Sequence, residues 1–478
     1  MKIHTTPNGK EELTIIPLAQ GYDRHQLPRR IRDKIPSSFK GKADEQHIIN
    51  ATNPTLLIGT GTKDDDALRK VAGKAYHYAK DTKTTHYLLD MTFHLDDPQI
   101  ATEGTLLAAY TYQEFKKPSF TPKSITLITQ QQKAGSAIKK GRIISEGVNL
   151  VRDLVNRPSS KKTPTAVAKL AKELGERYGF NVRVLGKKQL QKERMNAMLS
   201  VARGSDKEPQ LVILELNKNA NAIPLALVGK GVTFDAGGLQ LKPDPYIREM
   251  KMDLGGAATV LGTIVTLARL GHQGKVIGYL GLVENLLGPD AYKPGDIIPA
   301  RNGKTIEIEH TDAEGRLVLA DVLNYAEETA RPGAIIDLAT LTGAAIVALG
   351  YRVAPLLGNN KELIAAIKEA SERTDELVWE LPLYAHYGRM MEGTISDLRN
   401  LGKKLSIGGP GTITAAAFLE AFINEKTRWA HLDIAGTAFS YEKTAYTPRG
   451  GTGWGVRLLT DLIQHTLKTN LDFHKYKN

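Results

Sequence analysis

The chain has 478 residues, 41% of them hydrophobic, so it is long enough for at least two domains and apolar enough to bury a large core. It has no cysteine, which excludes disulfides, thiolate zinc sites and cysteine nucleophiles and leaves oxygen and nitrogen as the ligands for any metal. A formal charge of +12 permits contact with polyanions. The basic residues are nevertheless dispersed in pairs such as Lys139-Lys140, Lys161-Lys162 and Lys403-Lys404, and aromatics make up only 6%, so solvated surface charge is favoured over a nucleic-acid face.

The N-terminal stretch lacks the apolar core of a signal peptide, and a cytoplasmic location is expected. Thr55 to Gly73 reads as a strand, a glycine turn and a helix entered through Asp64, Asp65 and Asp66. A dinucleotide turn would need the full glycine fingerprint, which is missing, so these aspartates are read as helix caps. Segments at Thr85 to Phe93, Thr105 to Phe115 and Ser124 to Thr129 continue a small α/β domain. Ile143-Ile144, Val148, Leu150-Val151 and Leu154-Val155 recur at helical intervals, which predicts a long helix over Ala137 to Val155. Pro158 and Pro164 follow in a polar stretch, and the expected division is an N-terminal α/β domain with linker helix over 1–160 and a catalytic domain over 161–478.

Beyond that junction, helices are expected at Thr165 to Tyr178, Lys187 to Met195, Ala257 to Leu270 and Leu317 to Ala330. Strands are expected at Asn181 to Leu185, Gln210 to Leu216, Pro224 to Val228, Lys275 to Leu280, Ile306 to Glu309 and Ala334 to Leu338. The alternation predicts an α/β fold: a mostly parallel or mixed sheet flanked by helices, with a smaller N-terminal α/β domain and sites at the carboxyl ends of strands. Gly333 to Gly350 is apolar but carries Asp337, Thr340, Thr342 and Gly343, so a buried strand running into a helix is expected and no membrane span.

Two segments carry chemistry. In Val228 to Gly238, four glycines surround Lys230 and Asp235 and are expected to let the backbone bend sharply around a bound ion. A P-loop is excluded because its lysine must be followed by Ser or Thr, whereas Lys230 precedes Gly231. Lys242 and Asp253 follow in the same stretch. Asp312 and Glu314, read as extended chain, share one face and can grip the same cation or a pair of cations, although helix capping explains them equally well. Arg316 beside them is a permanent cation able to hold an anion bidentately.

The strings GKGVTFDAGG, LKPD, MKMDLGGAA and HTDAEGRL, with ENLLGPDAYKPGD, DLATLTGA and HLDIAGTA, resemble the leucine aminopeptidase family, two-metal peptidases also called cytosol aminopeptidases. The likeness covers nearly all of the chain after Pro164. It implies two divalent ions, Mn2+ or Zn2+, one bounded by Asp235, Asp312 and Glu314 and the other by Lys230, Asp235, Asp253 and Glu314. It also implies that Lys242 stabilises an oxyanion while Arg316 holds a bicarbonate base, that Met250, Thr340 and Gly343 line a pocket for leucine or other apolar residues at the peptide N-terminus, and that the protein is a homohexamer. A lysine ligand must be neutral, against an ordinary pKa of about 10.4, so Lys230 and Lys242 carry opposite protonation demands. The sequence departs from the usual pattern at His310 and Ala236, where asparagine and serine are common; both His310 and His431 are expected as structural or supporting histidines, not ligands. A two-metal phosphoesterase and an aminopeptidase that also binds DNA are the alternatives.

Overall fold

The computed structural model describes residues 1–117, 119–220, 222–402 and 409–466; Lys403-Lys404 lies outside them. The chain forms two compact units, one of Met1–Asn149 with Tyr441–Arg449, the other of Leu150–Ser440 and the chain from Gly450.

In the first unit, strands β1 (Lys2–His4), β2 (Leu13–Ala19), β3 (Gln46–Ile49), β4 (Thr55–Gly61), β5 (His86–Asp90) and β6 (Ser124–Ile128) form one sheet ordered β1-β6-β5-β2-β4-β3. All neighbours are parallel except β3 and β4. Alternation in β2 explains why it sits centrally: Leu13 and Ile15 face one apolar cluster with Leu56 and Ile58, while Ile16 and Leu18 face another with Leu57. Helices α1 (Arg29–Arg32), α2 (Asp65–Asp81) and α3 (Pro98–Ala108) follow. Asp64 caps α2 by accepting from Ala67 N at 2.8 Å, so the aspartate run has the capping role its sequence predicts. Tyr446 returns to this unit and its hydroxyl donates to Asp66 Oδ1 at 2.8 Å.

Helix α4 (Ala134–Asn156) buries Ile143, Ile144, Val148, Val151, Leu154 and Val155, as its periodicity predicts, and the two units divide inside it. The buried Lys162 donates to the terminal carbonyls of Leu154 (2.7 Å) and Val155 (3.0 Å) and to Lys251 O (2.5 Å).

The second unit begins with α5 (Pro164–Tyr178), capped by Thr163 and ended by Gly179 at φ +79°. Then come β7 (Asn181–Leu185), α6 (Lys187–Lys192), α7 (Asn196–Val201), β8 (Gln210–Leu216), β9 (Leu225–Asp235), α8 (Gly255–Arg269) and β10 (Val276–Asn285). The short strands β11 (Ile297–Pro299) and β12 (Thr305–Glu307) precede α9 (Gly315–Ala330), β13 (Ala334–Ala339), α10 (Gly343–Leu349), β14 (Ala354–Gly358), α11 (Lys361–Thr374) and β15 (Val378–Glu380). After α12 (Ala385–Arg389), β16 (Leu398–Arg399) and α13 (Gly411–Glu420), strand β17 (Arg428–Asp433) enters the main sheet. That mixed sheet is ordered β15-β14-β17-β13-β9-β10-β8-β7, with β17, β13, β9 and β10 parallel at its centre. Its buried positions, with those of α9 and α13, form a core containing Val228, Val232, Leu317, Val318, Phe418 and Trp429.

Three local expectations change. The helix expected over Lys187 to Met195 breaks where Arg194 takes φ +56°, and α7 starts afresh. The strand expected at Ile306 to Glu309 is β12, and it pairs with β11 and β16 in a separate sheet. Finally, Gly229 and Gly231 do not bend the chain: β9 runs straight through them. A Cβ at Gly229 would lie 2.5 Å from Ala257 Cα, so this glycine lets α8 pack onto the strand. The turn comes later, at Gly237 (φ +90°) and Gly238 (φ +67°).

Candidate metal centre

Strand β9 and the chain leaving it supply Lys230, Asp235 and Lys242, a 3-10 turn over Tyr246–Met252 delivers Asp253, and the turn entering α9 delivers Asp312 and Glu314. Asp312 and Glu314 are not on extended chain; they converge because Glu314 already has helical dihedrals at the position just before α9. The capping alternative also falls away, since Glu314 makes no side-chain cap and Thr311 Oγ1 donates instead to Gly237 O at 2.6 Å. Asp235, Asp312 and Glu314 each place a carboxylate oxygen within 4.8 Å of the others. Lys230, Asp235, Asp253 and Glu314 are buried, whereas Asp312 and Lys242 are partly exposed and mark the open side.

Two ammonium groups sit among these carboxylates. Lys230 Nζ lies 2.7 Å from Asp253 Oδ1, 2.8 Å from Glu314 Oε1 and 2.8 Å from Thr340 O. Lys242 Nζ lies 2.9 Å from Asp235 Oδ2 and 2.5 Å from Asp312 Oδ1. Burial works against the charge of both lysines, but the surrounding carboxylates outweigh it and hold both pKa values above the ordinary lysine range. Burial, reinforced by repulsion from Asp235 and Glu314, raises Asp312 to about 7 despite the opposing pull of Lys242. Asp253 is pushed well up by burial, with Lys230 opposing.

Glycine 315 explains how a lysine fits here. A Cβ at that position would lie 2.5 Å from Lys230 Cε and 2.8 Å from its Nζ, so the start of α9 is hollowed to pass the lysine chain. Arg316, one residue on, is buried, and its Nε and Nη1 have no hydrogen-bond partner. Burial lowers its pKa to about 10, with Glu314 and Asp433 opposing. Two buried donors without acceptors on one planar cation suit a small oxyanion.

Of the expected pocket residues, Thr340 joins the cluster, its hydroxyl donating to Asp253 Oδ1 at 2.7 Å. Met250 is half-buried, and its backbone O accepts from Asp253 N at 3.4 Å. Gly343 is exposed at the start of α10 with open space where a Cβ would stand. His310 Nδ1 accepts from Asp312 N at 3.1 Å, and His431 is fully buried with Nδ1 2.6 Å from Asp337 Oδ1, the other oxygen of which accepts from Trp429 Nε1 at 2.7 Å.

Supporting residues were not legible as such. Asn285 Nδ2 donates to Asp235 Oδ1 (2.8 Å) and Thr311 O (3.2 Å), and Tyr292 Oη donates to Thr311 O at 2.5 Å. Gln240 and Thr311 exchange hydrogen bonds, Thr311 N donating to Gln240 Oε1 (2.7 Å) and Gln240 N to Thr311 Oγ1 (2.9 Å). These amides and hydroxyls pin the two carboxylate-bearing turns to each other.

The donor set fits a divalent cation. It offers four carboxylates and a lysine amine, and Asp253 Oδ2 is buried without any hydrogen-bond partner.

Comparison with known proteins agrees with this geometry. Residues 149–460 match the catalytic-domain model of the cytosol aminopeptidase family, and residues 36–119 match its N-terminal-domain model. A probable cytosol aminopeptidase of Geobacter sp. (strain M21) is 40% identical over 446 residues, 89% of each chain. Another, from Syntrophotalea carbinolica, is 45% identical over 376 residues, 77% of this chain and 74% of that one. Among solved structures, the bottromycin maturation enzyme BotP in complex with Mn superposes with a TM-score of 0.85 at 32% identity, covering 95% of this chain and 99% of that one. A carboxylate cluster built on β9 and α9, inside a fold shared along almost the whole length, thus has one account: this chain is a peptidase and belongs to the cytosol aminopeptidase family.

Proposed function

We propose that the protein is a two-metal aminopeptidase that releases N-terminal amino acids, leucine and other apolar residues foremost, from peptides. The observation that carries the reading is the convergence of Asp235, Asp312 and Glu314 within 4.8 Å, with Asp253 and Lys230 against them. Asp235, Asp312 and Glu314 would hold one ion and Lys230, Asp235, Asp253 and Glu314 the other. Mn2+ is the first ion to test, because the similar solved structure contains Mn. When bound, divalent ions supply Lewis acidity toward the peptide carbonyl and acidify water.

The chain's own residues do the rest. Lys242 stays protonated, since the carboxylates around it raise its pKa, and it brings a fixed positive charge to the partly open side of the cluster where an oxyanion develops. Arg316 has two buried donors without partners that would suit a small planar anion, and bicarbonate is the proposed occupant, which would supply a proton acceptor when bound. Gly343, where a Cβ would meet open space, is proposed with Thr340 and Met250 as the seat of the first side chain.

The test is hydrolysis of leucine p-nitroanilide after chelation and after add-back of Mn2+, Zn2+ or Co2+. Activity should vanish with chelation and return with an ion; activity indifferent to chelators overturns the reading. We further propose a cytoplasmic homohexamer, which light scattering at micromolar concentration tests directly, a monomer being the contrary result.

A further inference from the structure

The turn that carries Asp312 and Glu314 is irregular chain, and its geometry must come from something rigid. Strand β12 ends at Glu307, where its parallel pairing with β16 (Ile306 with Leu398, Glu307 with Arg399) also ends. Asn400 follows β16, and its backbone N donates to Glu307 O at 2.9 Å as the last rung of that ladder. Its side chain then takes over. Oδ1 accepts from Glu309 N (2.8 Å) and His310 N (3.2 Å), while Nδ2 donates to His310 O (2.7 Å) and Ala313 O (3.3 Å). The residue is fully buried at 0% exposure. One amide thus uses both donors and both acceptor directions on the backbone that brackets Asp312 and leads into Glu314, standing in for a strand that is not there.

We propose that Asn400 is a positioning residue for the metal centre: it fixes the Glu309–Ala313 backbone and thereby sets where the Asp312 and Glu314 carboxylates stand. The inference rests on the metal-centre reading above. The supporting chemistry is specific to an amide. Aspartate keeps the two acceptors but turns a carboxylate oxygen toward the carbonyls of His310 and Ala313, leucine removes the side-chain partner of all four backbone groups, and serine restores part of the set. Ligand placement is sensitive on the scale of 1 Å, and loss of an outer support of this kind weakens metal affinity by about tenfold to a hundredfold.

The experiment compares the full-length wild type with Asn400→Asp, Asn400→Leu and Asn400→Ser. Mn2+ affinity is measured by competition with a fluorescent chelator, the folded state of the metal-free proteins by near-UV circular dichroism, and kcat and KM at limiting and saturating Mn2+. The expected result is folded metal-free variants whose Mn2+ dissociation constants rise about tenfold to a hundredfold, least for serine, with kcat largely recovered at saturating Mn2+. Folded variants that bind Mn2+ as tightly as wild type overturn the role of Asn400 while leaving the metal centre intact. Failure of all three variants to fold assigns Asn400 to stability alone and overturns the proposal as well. A wild type that binds no Mn2+, Zn2+ or Co2+ removes the metal-centre reading itself.

Discussion

Lys230 and Lys242 reach into one carboxylate cluster with the same functional group, and the proposed reading gives them different roles. Lys230 is enclosed by Asp253, Glu314 and the Thr340 carbonyl, so it gains a ligand's role only by surrendering a proton that those carboxylates hold tightly. Asp312, raised to about 7, must also be ionised to bind a cation. Metal binding therefore competes with protons at both residues, and Mn2+ affinity should strengthen as pH rises from 6 to 8, with protons released on binding. Titration in weak buffer with a pH indicator checks this; pH-independent affinity with no proton release contradicts it. Lys242→Met should keep the metals but lose about a hundredfold to a thousandfold in kcat, the scale of removing one oxyanion donor, as single-turnover kinetics with metal analysis would read. Lys230→Ala, by contrast, should retain only one ion. At this scale the charged residues were legible, because FDAGG and TDAEGR put unusual groups in apolar frames. Asn285, Tyr292 and Asn400 were not, since an amide or phenol acquires meaning only from partners far away in the chain.

Elements were legible where one period dominated. Strands at Asn181–Leu185 and Gln210–Leu216 fall at their expected bounds, and α5 and α9 begin within two residues of theirs. Partner choice was not, which is why β12 was recognisable as a strand but not as a member of a separate sheet. The break between α6 and α7 depends on Arg194 at positive φ, with no glycine to announce it. Buried Asp321, on α9, holds the start of α7 and the loop before β12, accepting from Met198 N (3.0 Å) and Arg301 N (2.8 Å). Burial raises its pKa from 3.8 to about 7, although those backbone bonds and Arg301 oppose the rise. Between those values the folded protein keeps a proton that the unfolded chain has lost, so this group's contribution to stability falls as pH rises and levels off above about 7. Unfolding free energy measured by urea from pH 5 to pH 8 should slope downward by up to about 1.4 kcal/mol per pH unit from this residue, and Asp321→Asn should flatten that slope. An unchanged slope refutes the assignment. Lys162 does comparable work at the end of α4: Lys162→Ala frees three carbonyls and should cost about 2–4 kcal/mol.

For the whole molecule, alternating strands and helices gave the α/β class, and the central parallel strands with antiparallel neighbours make the sheet mixed, as expected. The return of Tyr441–Arg449 to the first unit had no compositional signal, because its partners, among them Asp66 under the Tyr446 hydroxyl and Arg69 over the Tyr446 ring, lie far away in the chain. Among the described residues, no helix is long and apolar enough to cross a membrane. The hollow at Gly315 reaches furthest beyond its own neighbourhood. Because the Lys230 chain fills the volume a side chain at 315 would need, the two signature segments are not independent historical accidents; each limits what the other can become. Gly315→Ala alone should displace the Lys230 chain and destabilise the protein, and Lys230→Ala should relieve part of that loss, giving a favourable coupling in a double-mutant cycle. Drift at one segment therefore has to wait for drift at the other, so a lineage that abandons the lysine would also be released from the glycine.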